Sequence, residues 1–266
     1  MKTAFIKTAF ITGAGGYIGS CVARTLAAEG MAVMLCDIRR ESALSVAEEI
    51  IAAGGKAAAL EVDVTDSASV DAAVAETVRT FGGLDVSVHV AGGSARIAGQ
   101  DIKLAYLTER EDFVIDRVLR VNLYGAIYVA RAAARQMIAQ GRGGRIVSFG
   151  SSVGINGMWK STEYAAAKGG VIAMTKSLAK ELGAHRITVN AVSPGVVERP
   201  GEEHKDDHAV RTNFLETKCT AQEIADVVAF VASEKSRFMT GHNFVVDGGR
   251  SLSLRGSEQK KTEAAK

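Results

Sequence analysis

Short apolar runs and longer amphipathic segments alternate along this chain between residues 7 and 246. The apolar runs predict buried parallel strands over residues 7–11, 32–36, 57–62, 86–90, 145–149, 188–192 and 243–246. The segments between them have apolar residues at helical spacing and predict helices over residues 21–29, 42–53, 67–81, 113–140, 162–182 and 221–233. This regular alternation predicts an α/β fold with a doubly wound parallel sheet and helices on both faces.

The size and composition of the chain predict one domain. With 266 residues, 47% of them apolar, and only two prolines, the chain is long enough for one large α/β domain and short for two. We assign residues 1–255 to this domain and expect residues 256–266, which are charged, to form a frayed tail. Residues 2–6 repeat as residues 7–11, and only the second copy precedes a glycine-rich turn. The second copy is therefore expected to be the first strand.

Charge and cysteine content bear on the class of protein. A formal net charge of +2 gives no reason to expect nucleic-acid or membrane partners, and no apolar run approaches transmembrane length. Lys7 interrupts the apolar N-terminal segment, so we expect no signal peptide. Cys21, Cys36 and Cys219 are odd in number and lack metal-ligand spacing, which indicates reduced thiols. We therefore expect a cytoplasmic protein that binds no metal.

The helix predicted over residues 162–182 carries the most informative chemistry. Tyr164 and Lys168 lie four residues apart and share one helix face, and Ser151 follows a strand about a dozen residues earlier. A neighbouring ammonium favours phenolate over phenol, which would lower the tyrosine pKa from its ordinary value of about 10. Such a tyrosine can pass a proton to or from an alcohol oxygen. A Tyr-x-x-x-Lys pair alone is weak evidence, because it also occurs on solvated helix faces.

A glycine-rich turn follows the first strand. It has the spacing Gly-x-x-Gly-x-x-Gly, with glycines at Gly13, Gly16 and Gly19. The turn can bring backbone close to a pyrophosphate, and a helix N-terminus offers that anion free N–H groups. The next strand ends in Asp37, where an acid can accept both ribose hydroxyls of NAD and repel the 2′-phosphate of NADP. Arg39 and Arg40 follow and could partly offset that repulsion, so NAD is favoured over NADP.

In this order the motifs resemble those of the short-chain dehydrogenase/reductase superfamily, over roughly residues 7–250. Further matching segments are Asp63-Val64, Ala91-Gly92, Val121-Asn122-Leu123-Tyr124-Gly125, Asn190-Ala191-Val192-Ser193-Pro194-Gly195 and Val246-Asp247-Gly248-Gly249. The resemblance implies a single Rossmann-type domain and NAD-dependent hydride transfer between a secondary alcohol and a ketone. It also implies a homotetramer or homodimer.

The same resemblance assigns roles to individual residues. Tyr164 would be the general acid or base, while Lys168 would lower its pKa and bind the nicotinamide ribose. Ser151 would hold the substrate oxygen. Asn122 would support a water chain, bind backbone at a helix kink, or do both. The implied cofactor contacts come from Gly13, Gly15, Gly16, Tyr17, Ile18, Gly19, Asp37, Ile38, Asp63, Val64, Ala91, Gly92, Tyr164, Lys168, Pro194, Gly195 and Val197.

The chain departs from the family pattern at two places. Tyr17 occupies the usual position of the second glycine, and the glycine spacing fits the longer, epimerase-like branch instead. The usual Asn-Asn-Ala-Gly is replaced by His89-Val90-Ala91-Gly92, so an amide that normally braces the central strand is missing. His89 either replaces that amide or is only structural.

Two segments are expected to shape the substrate pocket. One is the long connection over residues 93–108, and the other is a mobile lid over residues 196–219. Met158 and Trp159 would line the pocket with Ser151 and Tyr164, as an apolar wall, or would instead pack at a subunit interface. Small residues between positions 165 and 173 would allow close helix packing between subunits.

The sequence leaves three functions open. The first is an NAD-dependent alcohol dehydrogenase or ketone reductase acting on a hydroxysteroid, a sugar or polyol, or a 3-oxoacyl compound. The second is a sugar-nucleotide epimerase or dehydratase, which is disfavoured because that branch carries a larger C-terminal substrate domain. The third is a cofactor-sensing regulator without turnover, which is disfavoured because Ser151, Tyr164 and Lys168 are all present.

Overall fold

The computed structural model describes residues 7–93, 96–97, 100–101, 104–198 and 213–252. Its strands are β1 (Thr8–Thr12), β2 (Ala32–Asp37), β3 (Lys56–Glu61), β4 (Val86–His89), β5 (Arg96–Ile97), β6 (Gln100–Asp101), β7 (Gly144–Phe149), β8 (Ile187–Pro194) and β9 (Asn243–Val246). Seven of them form a parallel sheet in the order β3-β2-β1-β4-β7-β8-β9. The chain order reverses at β1, which is the topology of a Rossmann-type doubly wound sheet. The predicted fold class is confirmed.

Helices cover both faces of this sheet. They are α1 (Tyr17–Ala28), α2 (Arg40–Ala52), α3 (Ser67–Phe81), α4 (Asp112–Leu119), α5 (Gly125–Gln140), α6 (Val153–Asn156), α7 (Thr162–Leu182) and α8 (Ala221–Ala232). Because side chains alternate along a strand, Ile11 packs against α1, α2 and α8, whereas its neighbour Phe10 packs against α3, α5 and α7. Both side chains are fully buried.

Local sequence signals explain where several helices begin and end. The side chain of Asp66 accepts a hydrogen bond from the amide of Ala68 and starts α3, which ends at Gly82 in the left-handed region, with φ of 83°. Thr220 and Glu223 form a capping box at the start of α8. These signals account for the close agreement between the predicted and observed bounds of both helices.

The structure corrects two predictions about these elements. The apolar runs predict β3 and β9 as buried strands, but both are sheet edges, and their side chains are only half-buried or exposed. The helix predicted over residues 113–140 is divided by a π-helical turn, Arg120–Tyr124, between α4 and α5. Apolar spacing continues across such a turn, so the periodicity did not reveal it.

Three further elements follow strand ends and were not predicted. The strands β5 and β6 pair antiparallel within the connection after β4, and α6 follows β7. The repeated segment 2–6, residues 199–212 of the expected lid and the tail 256–266 lie outside the described residues. Among the helices that are described, none is both long enough and apolar enough to cross a membrane.

Candidate active site

Ser151 and Tyr164 meet at the carboxyl edge of the sheet. Ser151 lies just beyond β7, and its side chain is close enough to the phenol of Tyr164 to lower the pKa of that phenol. The amide of Val153 also donates to Ser151 Oγ, at 3.2 Å. The short helix α6 packs directly on α7, because a Cβ on Gly154 would lie 2.6 Å from the carbonyl carbon of Lys168. This packing holds the serine against the helix that carries the tyrosine.

Lys168 is buried next to the same pair. Its ammonium donates to the backbone carbonyl of Phe149 at 2.8 Å and lies 5.7 Å from the centre of the Tyr164 ring. Burial lowers the pKa of Lys168 from its ordinary value to about 8. The lysine therefore changes charge close to neutral pH.

The pKa of Tyr164 differs from the sequence-based expectation. Burial raises the pKa of this phenol above its ordinary value, and the interaction with the Ser151 side chain opposes this rise only in part. The expectation that Lys168 lowers the pKa of Tyr164 is corrected here, because desolvation of the phenolate dominates and the opposing group is Ser151. The sequence spacing predicted proximity but not the extent of burial.

Asn122 lies in the π-helical turn and is fully buried. Its Oδ1 accepts from the amide of Gly93 at 3.0 Å, and its Nδ2 donates to the carbonyls of Gly93 and Val118 at 3.1 and 3.0 Å. A Cβ on Gly92 would lie 2.4 Å from this Oδ1 and 3.4 Å from Lys168 Nζ, so the amide lies close to the ammonium. The interpretation of Asn122 as a backbone-binding amide is confirmed, and its water chain stays a prediction.

His89 is buried between the central strands. Its Nδ1 lies 2.8 Å from Thr12 Oγ1, and this hydrogen bond crosses from β4 to β1. Burial and, to a lesser extent, the charge of Lys168 lower the pKa of His89 to about 3, so the imidazole is neutral. His89 thus braces the central strands at the position where the resemblance implies an asparagine.

We predict that His89 makes stability depend on pH. Its folded pKa lies below the ordinary value of about 6.5, so unfolding takes up a proton between about pH 3 and 6.5. The free energy of unfolding should therefore fall by up to about 1.4 kcal/mol per pH unit as the pH drops through this window. His89→Leu should remove this component, and urea unfolding at pH 7 and pH 5 measures it. His185→Gln, at an exposed histidine, is the control; equal pH dependence in wild type and His89→Leu would contradict the prediction.

The glycine-rich turn packs closely against neighbouring backbone. Gly13 has φ of 68°, and a Cβ there would lie 2.6 Å from the amide nitrogen of Ala91. A Cβ on Gly15 would lie 2.5 Å from the Cβ of Ser42. Helix α1 begins at Tyr17, and no side chain caps it, so its first amides can bind an anion. The turn therefore fits the pyrophosphate of a dinucleotide.

Asp37 is buried next to this turn. Its Oδ2 accepts from the amide of Gly15 at 3.0 Å, and its Oδ1 accepts from the amide of Arg39 at 3.1 Å. Arg39 and Arg40 follow Asp37 by two and three residues, and both side chains are exposed. The structure thus brings the carboxylate and the glycine turn together, as the spacing predicts.

The other predicted cofactor residues also lie around the carboxyl edge. The amide of Gly195, directly after β8, donates to the carbonyl of Val246 at 2.9 Å, and Val197 forms an isolated bridge with Cys219. The remaining positions lie within the glycine turn and α1 or at the ends of β2, β3, β4 and β8, namely Gly16, Ile18, Gly19, Ile38, Asp63, Val64, Ala91, Gly92 and Pro194.

The predicted substrate residues Met158 and Trp159 lie between α6 and α7. Met158 is half-buried, and the side chain of Trp159 is 64% exposed. The Trp159 ring packs against Tyr106, with 5.8 Å between the ring centres. Tyr106 belongs to the long connection after β4, so the structure places the predicted substrate residue Trp159 against one of the two segments expected to shape the pocket.

Sequence analysis missed a buried ion pair in this region. Arg110 and Glu163 are 3.1 Å apart, and their side chains are only 5% and 3% exposed. Glu163 directly precedes Tyr164, and this adjacency was a signal that could have been used. Arg110 lies far away in sequence, within an irregular connection, and offered no comparable signal.

Comparisons with known proteins agree with this fold and these motifs. A family model described as enoyl-(acyl carrier protein) reductase matches residues 13–251. The short-chain reductase protein NovJ of Streptomyces niveus is 40% identical over 255 residues, which cover 92% of this chain and 94% of NovJ. The cyclohexanol dehydrogenase of Acinetobacter sp. strain SE19 is 37% identical over 246 residues, covering 91% and 94% of the two chains.

A solved structure of a short-chain dehydrogenase/reductase has the same fold as this chain. The short-chain type dehydrogenase/reductase from Mycobacterium ulcerans aligns with a TM-score of 0.86 at 27% identity, covering 92% of this chain and 90% of that chain. This protein therefore belongs to the short-chain dehydrogenase/reductase superfamily, and its relatives are oxidoreductases. Members of this superfamily use NAD or NADP.

Proposed function

We propose that this protein interconverts a secondary alcohol and a ketone by hydride transfer, with NAD as the cofactor. The observation that carries the proposal is that the Ser151 side chain and the Tyr164 phenol lie together beside the buried ammonium of Lys168. A hydroxyl, a phenol and an ammonium at one strand edge can bind an oxygen atom and exchange its proton.

The atoms balance in both directions. In oxidation, NAD bound at the glycine turn would accept a hydride from the carbinol carbon. In reduction, NADH would donate a hydride to the carbonyl carbon. In reduction the phenol of Tyr164 donates its proton to the carbonyl oxygen. In oxidation the phenol would first lose that proton to solvent, and the phenolate then takes the proton of the substrate hydroxyl. Ser151 donates a hydrogen bond to the same oxygen and holds it near the phenol.

Lys168 and Asn122 serve this proton transfer in different ways. The ammonium of Lys168 is suited to bind the hydroxyls of the cofactor's ribose, because it is held at the carboxyl edge by the carbonyl of Phe149. Asn122 fixes the backbone at Gly93 and thereby shapes the space beside that ammonium. A water chain from this space to solvent would return the proton to bulk water.

Asp37 supports NAD rather than NADP. Its carboxylate is held beside the glycine turn, where it would accept hydrogen bonds from the ribose hydroxyls and repel a 2′-phosphate. We predict that kcat/KM with NAD exceeds kcat/KM with NADP by at least about tenfold, the ratio that about 1.4 kcal/mol produces. Asp37→Asn keeps the size of the side chain, removes its charge and should narrow the ratio.

Steady-state kinetics with both cofactors measure this preference. The matched control is Asp71→Asn, which removes an exposed carboxylate on α3, outside the residues assigned to the cofactor. Equal kcat/KM with the two cofactors in the wild-type protein would contradict the assignment. It would mean that Arg39 or Arg40 binds the 2′-phosphate.

The substrate class is proposed from chemistry and from relatives. A hydroxysteroid, a sugar or polyol, and a 3-oxoacyl compound each present a secondary hydroxyl or ketone. Relatives are named cyclohexanol dehydrogenase, at 37% identity, and 3-oxoacyl-[acyl-carrier-protein] reductase, from Thermotoga maritima, also at 37% identity. These names favour a cyclic alcohol or a 3-oxoacyl compound over a sugar.

A panel assay tests the function. NADH oxidation is followed with cyclohexanone, a 3-oxosteroid, a ketose and a 3-oxoacyl thioester, and NAD reduction is followed with the matching alcohols. We expect turnover with at least one pair and loss of that turnover in Ser151→Ala. A protein that binds NADH yet turns over no pair in either direction would support the cofactor-sensing alternative instead.

We further propose that the protein acts in the cytoplasm as a homotetramer or homodimer. Small residues on α7, including the exposed Ala166 and Ala173, leave room for a second copy to approach. Sedimentation equilibrium gives the assembly directly. A monomer at all concentrations that support turnover would exclude this assembly.

A further inference from the structure

A cation and two aromatic rings form a cluster beside the candidate active site. The ammonium of Lys160 lies 4.5 Å from the centre of the Tyr106 ring and 4.3 Å from the centre of the Trp159 ring. The two rings are tilted by 49°, and both side chains are more than half exposed. We call Tyr106, Trp159 and Lys160 the aromatic notch.

Two hydrogen bonds hold the backbone of the notch at Lys160. The carbonyl of Lys160 accepts from the amide of Ala105 at 3.2 Å and from the guanidinium of Arg110 at 3.1 Å. The same guanidinium forms the buried ion pair with Glu163. These contacts tie the backbone of the connection after β4 to the start of α7, so the segments that carry the notch are held near Tyr164.

Lys160 adopts a backbone conformation that residues with a side chain rarely take. Its φ is 60°, in the left-handed region, and such strain persists where surrounding contacts impose it, often at functional sites. The contacts to its carbonyl provide that support. The strained turn directs the side chain toward the two rings rather than along the helix that follows.

The aromatic notch lies next to the segment that leads to Tyr164, where a bound substrate could reach it. Both of its segments leave the carboxyl edge of the sheet, one after β4 and the other after β7 and α6, and the second leads directly into α7, which carries Tyr164. Lys160 precedes Tyr164 by four residues, in the turn that leads into α7. A substrate whose reactive carbon lies near Tyr164 would extend past this notch on leaving the site.

The charge of the notch is not neutralised within the described part of the chain. The ammonium of Lys160 contacts ring faces, and no carboxylate in that part of the chain pairs with it. Ring faces attract the cation but leave at least one of its N–H groups to bind an acceptor. An anionic group on an apolar body would satisfy both features, since its apolar part packs on the rings and its charge meets the ammonium.

We propose that the aromatic notch binds an anionic group, a carboxylate or a phosphate, carried by the substrate at a distance from its reacting carbon. This inference rests on the proposed function, because it assigns a substrate class to the same site. It selects acidic substrates among the compounds that carry a secondary hydroxyl or ketone.

The single tryptophan of the chain allows a direct binding test. Trp159 fluorescence is followed in the NAD-saturated protein during titration with phenylacetate, phenyl phosphate and the neutral analogue phenylacetamide. We expect saturable changes with at least one anion, and at least about fivefold weaker binding of the amide, the ratio that about 1 kcal/mol produces. Whichever of phenylacetate and phenyl phosphate binds more tightly shows whether the notch prefers a carboxylate or a phosphate.

Two variants make the test specific. Lys160→Gln should weaken binding of the preferred anion by about fivefold and leave the amide unchanged. Lys176→Gln, at an exposed lysine on α7, should bind the anion as the wild type does. Equal binding of anion and amide, or an unchanged anion affinity in a folded Lys160→Gln variant, would overturn the proposal. A Trp159 signal that follows protein concentration rather than ligand would do so as well, because a second copy would then cover the notch.

A kinetic comparison separates this inference from the proposed function. 4-Acetylbenzoate, whose carboxylate lies across the ring from its ketone, and its methyl ester are compared as substrates for NADH oxidation, in wild type and in Lys160→Gln. Preference for the acid in wild type, lost in the variant, supports the notch. Equal kcat/KM for the acid and the ester would contradict anion binding at the notch and would leave the proposed oxidoreductase function standing. Binding of the anion without turnover of any ketone would support anion binding at the notch and contradict the proposed function.

Discussion

Tyr164→Phe is expected to lose at least about a hundredfold in kcat while binding NADH almost as tightly as the wild type does. The substitution removes one oxygen and keeps the ring, so packing should survive, whereas the group that exchanges the substrate proton is gone. General acid or base catalysis contributes about 10² to 10⁴ in rate. Ketone reduction measures the rate, and calorimetric titration measures NADH affinity.

A matched control shows that the loss is specific. Tyr128→Phe makes the same chemical change on α5, where the ring lies 5.1 Å from the guanidinium of Arg131, and should leave the rate unchanged. If Tyr164→Phe kept more than about a tenth of the wild-type rate, its catalytic contribution would lie below the usual range, and the proton transfer would have to be assigned to another group.

Lys168→Met is expected to reduce both cofactor affinity and rate. One ammonium would bind the ribose and lie beside the phenol, so its removal should weaken NAD binding by at least about tenfold, as charged hydrogen bonds of about 1.5 kcal/mol or more imply. Lys168→Arg should recover only part of the loss, because a planar guanidinium does not fit the place of a compact ammonium under the Phe149 carbonyl. Lys176→Met is the control for a lysine on the same helix.

The pH dependence should report the same ammonium. Burial lowers the pKa of Lys168 to about 8, so the side chain is charged below that pH and neutral above it. Because kcat/KM reports the free enzyme, kcat/KM for NAD should fall as the pH rises through about 8 in the wild type. That descending limb should be absent in Lys168→Met. An identical limb in the variant would assign it to a different group.

Motifs with fixed spacing could be predicted from the sequence because their chemistry is local. The glycine turn leads directly into α1, and the pair of Tyr164 and Lys168 lies on one helix face whatever surrounds it. Asp37 ends a strand beside the turn, so parallel strand order alone places its carboxylate near Gly15. For the same reason, the alternation of elements was enough to predict the doubly wound sheet.

Features that depend on tertiary contacts could not be predicted. The raised pKa of Tyr164 arises from burial, which spacing does not encode. The pairing of Arg110 with Glu163 needs an irregular connection to fold back on α7, and the hydrogen bond of His89 with Thr12 needs the pairing of β1 with β4. Strand order also decides that β3 lies at a sheet edge, although its sequence is apolar.

Deuterium transfer from NADH tests the central claim most directly. The wild-type protein is incubated with a ketone from the panel and with NADH deuterated at C4, in separate samples for each face of the ring, and the alcohol is examined by mass spectrometry and NMR. The account predicts one deuterium at the carbinol carbon with one of the two isotopomers, and no such alcohol from Tyr164→Phe in the same time. Alcohol formed without deuterium from either isotopomer, or equal labelled product from Tyr164→Phe, would contradict it.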